Sequence, residues 1–157
     1  MSRSQKPRRP HRHAWNAGGV LLKAQPWKIK LVFGPLEAII DQLEQEGTIT
    51  TSASGTPMFQ DSAAGHWYCS VSALNGVIEA YEIHERRYNR ALGLDPLRVL
   101  TNKLQYGTPI FESDTRAARA CLARMRLETA QMTSEYAKGL VRDFQIKEAL
   151  ERVREVA

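Results

Sequence analysis

A chain of 157 residues, 43% hydrophobic and 25% charged, is long enough to bury a core and has the balance of an ordinary globular domain. No apolar run approaches the roughly 20 residues that span a bilayer, and no apolar stretch of a secretory signal follows the basic start, so membrane insertion and secretion are not expected. The formal net charge of +5 is unevenly placed: residues 1–30 hold eight Lys/Arg and no acid, whereas the other 127 hold 14 bases against 17 acids.

Residues 1–14 read MSRSQKPRRPHRHA, with nothing larger than Ala on the aliphatic side except Met1. Such a segment buries too little apolar surface to offset its ordering entropy, which predicts a disordered basic leader over 1–18. Arg3, Lys6, Arg8, Arg9 and Arg12 form a cluster of cations whose natural counterpart is a polyanion, so nucleic acid is the expected partner, contacted without sequence preference. His11 and His13 have no further ligands nearby, and no metal is expected. Gly18-Gly19 ends the leader, and 19–157 reads as a single helical domain.

Trp27, Ile29, Leu31 and Phe33 alternate with Lys28 and Lys30, a pattern that suggests a short strand with one buried face, with helix as the alternative. Lys28 and Lys30 beside aromatic rings are also candidate nucleic-acid contacts. Gly34-Pro35 then predicts a helix start, with Leu36, Ile39, Ile40 and Leu43 on its apolar face and Gly47 at its end. The acids Glu37, Asp41, Glu44 and Glu46 read as its solvated face. Residues 48–60 are threonine-rich around Ser52-Ala53-Ser54-Gly55 and predict a hairpin or an ordered loop. A helix followed by a hairpin suggests a winged helix, but no recognition helix precedes it.

A second helix is expected from His66-Trp67 to Gly93, its stripe running through Trp67, Val71, Leu74, Ile78, Tyr81, Tyr88 and Leu92, with Glu85 as its one polar entry. Gly76 marks a close approach of a neighbouring helix, and His84 is expected at the surface beside Glu82 and Glu85. Asp95-Pro96 begins a third helix, with Leu97, Leu100 and Leu104 inward, closed by Gly107-Thr108-Pro109. From Ser113 to Val156 the pattern is helical throughout, capped by Ser113 and Asp114 and free of proline. Uninterrupted, it would reach roughly 65 Å, so it must break, with Gly139 the expected point, or project toward a partner. Arg116, Arg119, Arg124 and Arg126 form a candidate secondary basic patch on it. Phe144, Ile146, Leu150 and Val153 exceed the needs of one internal seam and form a candidate protein interface.

Motifs of common chemistries are missing: there is no phosphate-binding glycine loop, no GxSxG, no HExxH and no CxxC. Cys69 and Cys121 stand far apart and are read as two buried, reduced thiols of a cytoplasmic protein. A non-enzymatic protein without cofactor is the expectation. The KPRRPHRH leader, a helix ending in LEQEG, an aromatic-bearing helix and a polar helical C-terminus resemble the small basic-leader proteins of proteobacterial phages and plasmids. That resemblance implies a cytoplasmic accessory or regulatory role in a mobile element.

The sequence therefore predicts a mostly α compact bundle with a minor β-hairpin and a disordered basic tail. Two functions are expected as alternatives. In the first, the leader contacts nucleic acid and the helices form a homo-oligomer. In the second, the protein is an inhibitor or adaptor acting on a host complex, for example a defence system.

Overall fold

The computed structural model describes residues 15–60 and 65–156, so the cations of residues 3–12 lie outside the described part. The chain is mostly helical, with five helices and one small antiparallel sheet. A 3₁₀ turn, Leu22–Ala24, precedes α1 (Pro26–Glu46). Strands β1 (Met58–Gln60) and β2 (Trp67–Cys69) lead into α2 (Ser70–Tyr88), followed by α3 (Asp95–Tyr106), α4 (Glu112–Ala130) and α5 (Ser134–Val156). In space α1 packs on α4, α4 on α3, α3 on α2, and α2 on α5.

Residues 27–33 are helix rather than strand. Pro26, not Pro35, takes the first turn of α1, and Pro35 sits inside the helix. The apparent alternation is two helical pairs interleaved. Ile29 and Phe33, four apart, are buried, whereas Trp27 and Leu31, also four apart, are 58% and 75% exposed. The inward row continues through Leu36, Ile40 and Leu43, and Gly47 ends the helix with φ 70°.

A hairpin forms, but not within 48–60 as expected: its ladder pairs Met58 with Cys69, Phe59 with Tyr68 and Gln60 with Trp67. A tight turn at Ser52–Thr56 closes only the single Thr51–Pro57 bridge. Trp67 therefore belongs to a strand and is exposed, and α2 begins three residues later than its sequence pattern suggests. It ends at Asn89, which adopts φ 51°, four residues before Gly93. Gly76 does mark a close approach: a Cβ there would lie 3.6 Å from the Phe144 ring of α5.

The long C-terminal stretch breaks at 131–133, and Gly139 lies inside α5. The cause is distant in sequence. Residues 15–22 cross the junction: the Thr133 N–H donates to the Trp15 carbonyl, Ser134 to Val20, and the Leu22 N–H to the Met132 carbonyl, at 2.8–2.9 Å. Peptide groups that would have continued one helix are used by another segment. Thr133 Oγ1 then accepts the Tyr136 N–H at 3.1 Å and caps α5. At the other end of α4 the cap is also shifted. The Asp114 carboxylate accepts the Phe111 N–H at 2.8 Å and meets Lys103 at 2.7 Å, tying α4 to α3. Trp15, placed in the leader by sequence, is buried in the body.

Candidate functional site

Two features of the described body have the make-up of a site: a buried polar cluster and an apolar groove. The cluster centres on His84, which is 0% exposed rather than on the surface. Its Nδ1 lies 2.7 Å from Tyr136 Oη and its Nε2 2.9 Å from Glu128. Arg90 makes a two-pronged contact with the same carboxylate at 2.7 and 2.8 Å. Trp15 stacks edge-on to His84, with ring centroids 5.2 Å apart, and the Arg90 guanidinium lies 5.0 Å from the Trp15 ring. Burial pushes Glu128 up, but hydrogen bonds from Arg90 and His84 outweigh it and hold the carboxyl below its ordinary range. Tyr136 is pushed up to about 12, chiefly by burial.

A histidine between a carboxylate and a phenol is the inventory of an acid–base site. Here both ring nitrogens are occupied, and neither main cleft is lined by His84, Glu128 or Tyr136. The cluster fastens α2 to α4 and α5. The sequence leaves two registers open here. From Tyr81 a step of three lands on His84 and a further four on Tyr88, whereas a step of four lands on Glu85.

The groove lies between α1, α2 and α5 and has a volume of about 550 Å³. Ile29 and Val32 of α1, small residues of α2 such as Ala73 and Gly76, and Val141 and Phe144 of α5 form its walls. Tyr81 and Thr129 sit at its floor with their hydroxyls bonded to each other, which leaves the floor effectively apolar. Lys28 and Lys138 are its charged members, and no carboxylate lines it. Lys28 Nζ donates to Ser134 Oγ at 3.0 Å, while Lys30 is exposed on α1.

The candidate basic patch is not gathered into one field of free cations. Arg116 pairs with Glu112, Arg119 with Asp41 and Glu44, and Arg126 with Glu37. Arg124 donates to the Leu92 and Gly93 carbonyls at 3.1 and 2.9 Å. Arg116 and Arg119 do line a second cleft of about 560 Å³, together with Glu44 and Glu112. Of the candidate interface, Phe144 is half-buried against α2, whereas Ile146, Leu150 and Val153 are exposed. Both cysteines are free thiols, Cys121 buried and Cys69 partly accessible. Among the described residues no cluster of His, Cys, Asp and Glu is suited to hold a metal ion, and no helix is long and apolar enough to cross a membrane. No protein-family model, curated protein or solved structure matches this chain.

Proposed function

We propose that this is a non-enzymatic accessory protein that associates with nucleic acid through its N-terminal cations, with the helical body as platform and self-association surface. One observation carries the reading. Residues 1–14 hold five Lys/Arg and no acid, so residues 15–157, with 17 of each sign, are formally neutral and the whole +5 belongs to the leader. The guanidiniums of α4 support it, since they are paired with the body's own carboxylates and carbonyls and do not form a competing patch of free cations. Contacts of this kind position a protein on nucleic acid without specifying bases. The mobile-element setting rests on the layout of the chain alone.

Fluorescence anisotropy with a labelled duplex across a salt series, for the full chain and for one lacking residues 1–13, tests the reading. The full chain should bind with a log–log salt slope of about −4 to −5 if all five cations meet phosphates. The shortened chain should lose most of that affinity and slope. Binding that survived the deletion would remove the leader from the site.

A second reading, a protein-binding inhibitor or adaptor, is favoured by the exposed apolar side chains of α1 and α5: Trp27, Leu31, Ile146, Leu150 and Val153. Light-scattering mass separates the two. An oligomer covers such surface with copies of the chain, and a monomer leaves it to a foreign partner.

A further inference from the structure

The apolar groove has a direction. Lys28 is bonded to Ser134, and Lys138 stands one turn from Ser134 on α5, while Gly76 meets Phe144 farther along α5, with the Ser72 hydroxyl one turn from Gly76 on α2. From Ser134 to Phe144 the α5 wall runs about 15 Å. Its volume of about 550 Å³ falls within the range of small-molecule sites, which are mostly apolar with a few placed polar groups. Both charged groups that line it are ammonium ions, Lys28 bonded to Ser134 and Lys138 one turn along α5 from that serine. A neutral apolar ligand makes no use of that asymmetry, and a cationic one is repelled by it.

We propose that the groove is a binding site for a single-chain fatty acid, its carboxylate held by Lys28, Ser134 and Lys138 and its alkyl chain lying along α5 toward Phe144. Lys28 already donates to Ser134 and retains further ammonium protons for a carboxylate. Lys138 is exposed at the rim and has no ion pair among the described residues, so it turns to the ligand without breaking a contact. The small residues Ala73, Gly76 and Ala80 keep the α2 wall open for methylenes. None of His84, Glu128 and Tyr136 lines the site.

Calorimetric titration of the full chain with dodecanoate, below its micelle concentration, tests the proposal. Saturable one-to-one binding is expected, weakening about fourfold for each methylene removed. Dodecanol, which lacks the charge, should bind about tenfold more weakly. The double variant Lys28→Gln/Lys138→Gln should lose about tenfold for dodecanoate and nothing for dodecanol. Val141→Trp fills the mouth from a position that is 49% exposed, where the larger ring is tolerated, and should abolish binding while the circular dichroism melt stays unchanged. Equal affinity for acid and alcohol would overturn the proposal, as would the absence of saturable binding.

Discussion

Glu128 shows how one residue holds three segments together. It meets His84 from α2 and Arg90 from the loop after it, and His84 passes the connection on to Tyr136 of α5. Because the native carboxyl is held below its ordinary range, the unfolded chain binds a proton where the folded one does not. The stabilisation is therefore fully present above the ordinary glutamate value of about 4.3 and is lost as pH falls through the lowered native value. Glu128→Gln should cost about 1–3 kcal/mol at neutral pH in urea unfolding, and its deficit should shrink in acid. A deficit that is the same at both pH values would mean the charge is not what binds Arg90 and His84. The two thiols differ by the same kind of reasoning. Burial raises Cys121, whereas at the start of α2 hydrogen bonds from Ser72 and the Val71 amide outweigh burial and lower Cys69. Iodoacetamide should label Cys69 in the native protein and reach Cys121 only on unfolding. Equal labelling rates under native conditions would contradict this placement.

The break between α4 and α5 is decided by hydrogen bonding and not by glycine. Gly139 sits in an ordinary helical position, and a Cβ there meets nothing within 4 Å. Gly139→Ala should therefore stabilise the protein by about 0.5–1 kcal/mol, because it removes backbone freedom from the unfolded chain and strains nothing. A lower melting temperature for that variant would restore Gly139 as a hinge. At the true break, Thr133→Ala should cost about 1 kcal/mol through loss of the α5 cap. The α1 result follows from the same geometry. Steps of two put neighbours on one face of a strand but on opposite faces of a helix, and with all four odd positions apolar in so short a run the sequence does not say which pair faces inward. Pro26 resolves the matter by supplying a helix start nine residues upstream of Pro35.

For the molecule as a whole, the N-terminal segment is both a closure and a tether. Trp15 and Leu22 are buried, and the backbone of 15–22 pairs with the α4–α5 junction. A chain lacking residues 1–13 should melt as the full chain does. One lacking residues 1–24 loses Trp15, Leu22 and those hydrogen bonds, and should melt well below it, since burying a tryptophan alone is worth about 3–5 kcal/mol. Similar melts for the two would mean that 15–24 does not belong to the cooperative unit. Near the start of α1, Lys23 and Lys30 are exposed.

By itself the sequence determined what depends on near neighbours. The helices downstream of Pro35, the caps at Gly47 and Gly107, the leucine face of α3 and the contact at Gly76 all rest on spacings of three and four or on glycine at a stop. The concentration of charge in the leader needs no structure at all. Only the tertiary structure decided the register at His84, the break at 131–133, the pairing of the α4 arginines and the amphiphilic groove. Each of these joins groups distant along the chain: Lys28 with Ser134, Arg119 with Glu44, and Trp15 with Thr133. Local periodicity carries no information about which distant peptide or carboxylate will satisfy a given donor, and that satisfaction is what ends helices and neutralises surfaces.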